Sequence, residues 1–73
     1  MDIELNKTQR RVFDYLTQYG SITTLQAFVD LGESRLSARI YELKEKGIPI
    51  SGKKIQVKNR LGENRWVKEY KIG

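Results

Sequence analysis

The side-chain pattern changes period at Gly47, and this change restricts the folds open to the chain. Up to that point apolar residues recur every three or four positions, as on a helix; beyond it they alternate with polar ones, as on a strand. The stretch before the change, Gly32 to Gly47, reads as a helix over about 34–46 with both ends marked. The Ser34 hydroxyl is placed to accept from an unpaired backbone N–H, and Gly47 follows the last charged turn, where positive φ ends a helix. Leu36, Ile40 and Leu43 make one narrow apolar stripe. The opposite side carries Ser34, Ser37, Ala38, Tyr41 and Glu45, with Arg35 and Arg39 on one flank.

Two further helices precede it. Asn6, with Gln9 three residues on, forms a capping-box pattern for a helix over about 7–19. Val12, Phe13, Leu16 and Tyr19 are its expected core side, and Gly20 ends it. Ile22 follows as a candidate single pairing strand. Thr23 or Thr24 then caps a second helix, about 24–31, whose expected apolar face is Leu25, Phe28 and Val29. Gly32 supplies the turn into the third helix, a helix-turn-helix spacing.

After Gly47, Ile48 to Gly52 reads as a strand start or bend, with Pro49 at an edge or end because it cannot donate to a ladder. Lys54 to Lys58 alternates with period two, Asn59 to Asn64 is rich in turn formers, and Arg65 to Ile72 returns as a second strand. The hairpin spans about 48–72, and its register stays open: either Trp66 or Val67 faces inward, according to turn length.

Seventy-three residues make one domain with a thin core, since a chain of this size buries only roughly 60% of its unfolded surface. Little room remains for an enclosed active site. Cysteine and histidine are both absent, which removes disulfides, thiolate metal sites and the commonest general base and metal ligand. No pair of carboxylates and no Gly-rich phosphate loop assembles into a catalytic set, so we expect no enzyme, no cofactor and no metal. No apolar run is long enough to span a membrane and residues 1–15 lack a signal-peptide core, so a cytoplasmic location without membrane attachment is expected. The formal charge of +5 is unevenly spread: residues 1–33 carry three basic against five acidic side chains, residues 34–73 eleven against four. That asymmetry points to a polyanionic partner met by the C-terminal half.

The segments ITTLQAFVDLG, SRLSARIYELKEKG and IPI, followed by VKNRLGE and EYKI, resemble the small winged helix-turn-helix domains common in bacteriophages and prophages. The likeness runs from about Asn6 to Ile72 and is most specific from Leu36 to Gly47. Gly32 follows Ala27 by five residues, where the older helix-turn-helix pattern has four. The resemblance implies an α+β, mainly α, fold: a three-helix core with a C-terminal β-hairpin wing. It also implies DNA binding, as a transcriptional regulator or a recombination or replication accessory factor, in a bacterial host cell or nucleoid.

Phosphate contacts fix register and supply most affinity, whereas base edges supply specificity. Arg35, in the first turn of the third helix, is the foremost candidate for a base contact, because guanidinium bonds guanine O6 and N7 bidentately. Ser34, Ser37, Ala38 and Tyr41 complete the expected reading surface, although Ser34 is fully used if it caps. Thr23, Thr24 and Gln26 are candidate phosphate contacts at the start of the second helix. Arg39 serves either a phosphate or an ion pair with Glu42 or Glu45. On the wing the candidates are Lys54, Lys58, Asn59, Arg60 and Arg65, with Lys53 and Lys68 weaker; Trp66 and Tyr70 are expected to cover the third helix. Glu42 and Glu45 would be repelled by DNA, so only Ser34 to Tyr41 is expected to read the groove, with Glu42 onward pointing away. Double-stranded DNA is thus the expected partner, with the protein a monomer or a DNA-assisted oligomer. The alternatives are a protein-interaction module, using the acidic first half (Asp2, Glu4, Asp14, Asp30), and a single-strand binder, which needs exposed aromatics on a basic face.

Overall fold

A computed structural model describes residues 4–73; Asp2, named above as part of an acidic surface, lies outside them. The order is α1 (Lys7–Tyr19), β1 (Ile22–Thr23), α2 (Thr24–Leu31), α3 (Leu36–Glu45), β2 (Ile50–Lys58) and β3 (Asn64–Ile72). The strands form one antiparallel sheet, β1-β3-β2, with Ile22 opposite Tyr70 and Ile50 opposite Ile72. This is the α+β arrangement expected, including the short pairing strand at Ile22.

Local chemistry sets the helix boundaries. Asn6 and Gln9 form the expected reciprocal box: the Gln9 N–H donates to Asn6 Oδ1 at 2.8 Å and the Asn6 N–H to Gln9 Oε1 at 3.1 Å. Thr23 and Gln26 form a second box at the head of α2. Gly32, at φ 67°, closes α2; its N–H donates to the Phe28 carbonyl and that of Glu33 to the Ala27 carbonyl, both at 3.0 Å. The chain needs that left-handed residue to turn into α3.

The core gathers Val12 and Leu16 of α1, Ile22, Ala27 of α2, the Leu36–Ile40–Leu43 stripe of α3, and Ile48, Ile50 and Tyr70. Leu36 and Leu43 are almost wholly excluded from solvent, worth about 2–3 kcal/mol each. The expected stripe of α3 is therefore its buried face.

Three expectations are corrected. The apolar face of α2 is not its core face: Leu25, Phe28 and Val29 are 68%, 59% and 68% exposed, and Ala27 is the buried residue. An eight-residue helix apolar on both sides has only one side to bury, and here it is the side of Ala27. Tyr19 is exposed because it lies in the last turn of α1, where its ring meets Tyr15 at 4.6 Å between centroids. Trp66 does not cover α3. It faces solvent at 66% exposure, because the hairpin projects past the helices along the 45 Å long axis of the molecule. Tyr70, four residues nearer the helices, is the aromatic in the core. Of the two readings of Ile48 to Gly52, the strand start holds: β2 begins at Ile50 and carries Gly52 opposite Tyr70.

Candidate nucleic-acid interface

The third helix starts differently from the other two. It begins at Leu36, two residues later than expected, with Arg35 at the cap position and no side chain bonding its first turn. The Arg35 N–H donates to Glu33 Oε1 at 2.8 Å, and the cap position falls to Arg35 rather than to Ser34. Ser34 is accordingly an exposed residue of the turn rather than the cap. An uncapped start leaves N–H groups of the first turn, and the positive end of the helix dipole, to solvent or an anion.

The residues expected to read DNA surround this point. Arg35, Ser34, Ser37 and Tyr41 are exposed and Ala38 is half-buried. Tyr41, at 64% exposure, points away from the core. Among the described residues the Arg35 guanidinium has no ion-pair partner, since the only pair at 4 Å or less is Arg39–Glu42.

That pair is the ion pair expected as one of the two readings of Arg39. Its Nη2 donates to Glu42 Oε2 at 2.9 Å, while Glu42 Oε1 accepts from the buried Gln9 amide at 3.0 Å. Glu42 therefore joins α3 to α1. The Gln9 hydrogen bond foremost, with the nearby Arg39 and Lys46 charges, holds its carboxyl below the usual carboxylate range against the opposing effect of desolvation. Arg39 Nε has no hydrogen-bond partner, so the guanidinium is held by one edge only. Glu45 is exposed.

At the head of α2 two of the expected contacts lend their side-chain oxygens to the capping box. The Thr23 hydroxyl accepts from the Gln26 backbone N–H at 3.2 Å and Gln26 Oε1 from the Thr23 N–H at 2.9 Å. Thr24, exposed, is the one of the three whose side chain takes no part in the box.

The wing tip is organised by Asn59. Its Oδ1 accepts from the N–H groups of Leu61 and Glu63 at 2.9 and 3.0 Å, and its Nδ2 donates to Glu63 Oε1 at 3.2 Å. Asn59 is thus used in holding the turn. Around it Lys54, Lys58, Arg60 and Arg65 are exposed, as are Lys53, Lys68 and Lys71. The register fixes the two faces of the hairpin. One carries Ile50, Gly52, Lys54, Gln56 and Lys58 opposite Ile72, Tyr70, Lys68, Trp66 and Asn64. On the other, half-buried Ile55 and Val67 face each other, with Lys53 opposite Glu69 and Val57 opposite Arg65. Val67, not Trp66, is therefore the more sheltered of the two residues left open by the sequence.

Sequence reasoning missed Gly52 and the solvent-facing Trp66. A side chain at Gly52 would meet Tyr70 and Lys68, so the glycine makes room for the ring across the strand pair. The only sequence signal was a glycine inside an alternating run, which marks close approach of another group.

A family model for the winged helix-turn-helix domain matches residues 7–73, nearly the whole chain. Comparison with curated proteins and with solved structures gave no match. No helix among the described residues is long and apolar enough to cross a membrane.

Proposed function

Because this chain belongs to the winged helix-turn-helix family, we propose that it binds double-stranded DNA with the N-terminal half of α3 in the major groove and the hairpin as a wing along the backbone or minor groove. The observation that carries this reading is the uncapped start of α3, with the unpaired Arg35 guanidinium beside exposed Ser34 and Ser37. Arg35 reads a guanine edge; Ser34, Ser37 and Tyr41 supply hydroxyls to bases or phosphates, and Ala38 allows close approach. Thr24, Lys54, Lys58, Arg60 and Arg65 hold phosphates, whereas Thr23, Gln26, Arg39 and Asn59 keep the intramolecular partners described above. The role is regulatory, or accessory to recombination or replication, and is exercised where the DNA lies, in the cytoplasm or nucleoid. The resemblance of the sequence to the small winged helix-turn-helix domains of bacteriophages and prophages supports that role.

Selection from random duplexes followed by footprinting tests the proposal. The expected result is an enriched site whose protected major groove contains a guanine, with flanking backbone protection from the wing. No enrichment, with duplex binding that is weak and insensitive to salt, would overturn it.

One observation favours a second reading, a contact between copies of this chain. The outer face of α2 exposes Leu25, Phe28 and Val29 together. Three side chains fall short of the ~800 Å² per partner that a stable interface buries, so such a contact would form only when DNA brings two copies together. Sedimentation with and without a tandem site separates a monomer from a DNA-assisted oligomer.

A further inference from the structure

We infer that the wing face centred on Trp66 is a binding site for unpaired nucleotides of DNA, the indole stacking on a base while Lys54, Lys58 and Lys68 hold the neighbouring phosphates. The register places these residues side by side. Trp66 stands opposite Gln56; the next pair on the same face toward the helices is Lys54–Lys68, and the next toward the tip is Lys58–Asn64. Cross-strand neighbours lie about 5 Å apart and same-face neighbours along a strand about 7 Å, so one nucleotide reaches the indole and a lysine together.

A lone exposed aromatic is common on protein surfaces and carries little by itself. Three further observations set Trp66 apart. The face on which it stands has no carboxylate from Ile50 to Ile72; Glu69 belongs to the opposite face and Glu63 to the turn. Among the described residues no ring and no cation lies on the indole: Tyr15 pairs with Tyr19, and the Lys68 ammonium sits 5.5 Å from the centroid of Tyr70. The packed part of the sheet ends at Tyr70, so the indole serves no core. A π-surface left open amid lysines that pair with no carboxylate is the arrangement that binds single strands with little sequence preference.

Within an intact duplex both faces of each base are covered by its neighbours. The indole therefore finds a partner only at a frayed end, an opened step or a single strand, and the site would direct the protein to junctions between paired and unpaired DNA. This inference shares with the duplex reading only the assumption that the wing meets phosphates; it does not depend on α3.

Trp66 is the only tryptophan in the chain, so its emission reports the site in the unaltered protein. The protein is titrated with an oligothymidylate, with a strand of the same length made of abasic sugars, and with a blunt duplex. The expected result is strong quenching by oligothymidylate, little by the abasic strand, and on the order of tenfold weaker single-strand binding for Trp66→Ala. Trp66→Phe should retain most of the affinity. Duplex binding should survive in Trp66→Ala and fall in Arg35→Ala, while single-strand binding does the reverse, so either reading can fail without the other. Equal binding of the normal and abasic strands, or emission unchanged by oligothymidylate, would overturn the inference. Should Trp66→Ala fail to fold, the emission titrations decide alone.

Discussion

Replacing Gly52 by alanine is expected to destabilise the domain by about 1 kcal/mol, although alanine suits a strand better than glycine. A Cβ at this position would lie 2.9 Å from Lys68 Cε and 3.0 and 3.1 Å from Tyr70 Cδ1 and Cε1. The lysine end can swing into solvent at little cost. The tyrosine ring cannot, because Tyr70 is only 7% exposed and stands opposite the wholly buried Ile22. Forcing a packed ring to tilt costs about 1–3 kcal/mol, whereas the lower unfolded-state entropy of alanine returns only about 0.5–1 kcal/mol. The difference corresponds to a drop in Tm of about 4–8 °C for a domain of this size, read by thermal denaturation. The double variant Gly52→Ala, Tyr70→Leu should show favourable coupling, because the ring that obstructs the new methyl is gone. A Gly52→Ala protein melting at or above the wild-type temperature would refute the argument.

Three further perturbations probe other parts of the fold. The Glu42 carboxyl is held below its ordinary pKa, so its stabilising contribution is present above that value and lost as pH falls through the lowered one. Between about pH 5 and pH 3 the wild type should therefore lose more stability than Glu42→Gln, and parallel profiles would show that the link to Gln9 and Arg39 contributes nothing. Tyr15 donates to Asp30 at 2.6 Å, which, with desolvation, pushes its pKa up to about 12. The raised value means that this tie between α1 and α2 stabilises fully below about pH 10 and is lost as pH rises toward 12; Tyr15→Phe should lower stability by about 1 kcal/mol at neutral pH and remove that alkaline loss. Phe28→Ser should change stability by no more than about 0.5 kcal/mol, whereas Ala27→Leu should cost about 1–3 kcal/mol; chemical denaturation giving the opposite order would reverse the assignment of the inner face of α2.

The parts of this fold legible in the sequence are those set by near neighbours. The Asn6–Gln9 box needs only a spacing of three, Gly20, Gly32 and Gly47 all adopt the positive φ that ends their helices, and the Leu36–Ile40–Leu43 stripe had no apolar rival on its own helix. What was misread depended on more distant geometry. On α2 the apolar residues cover both sides, and periodicity cannot say which side the rest of the chain will take. Ser34 is not the cap because the helix begins two residues further on, at Leu36. The exposure of Trp66 followed from its place toward the hairpin tip, four residues beyond the buried Tyr70 on the same strand. Of the candidate contacts, the exposed basic side chains were easy to name, because charge favours solvent. The amides and hydroxyls were harder, since Thr23, Gln26 and Asn59 find partners within the protein as readily as outside it.

The central claim is that α3 reads bases while the wing binds phosphate. Its most direct test is the salt dependence of duplex affinity, measured for wild type, Arg35→Ala and Lys58→Ala on a selected site and on a scrambled one. Four wing cations (Lys54, Lys58, Arg60 and Arg65) on phosphates correspond to a log–log slope of about −3.6, or roughly a hundredfold loss between 50 and 200 mM salt. The expected result is that Lys58→Ala weakens both duplexes alike and makes the slope shallower by about 1, while Arg35→Ala narrows the gap between the sites by about 1–3 kcal/mol. A flat salt dependence, or an Arg35→Ala protein that still separates the two duplexes as the wild type does, would contradict the account.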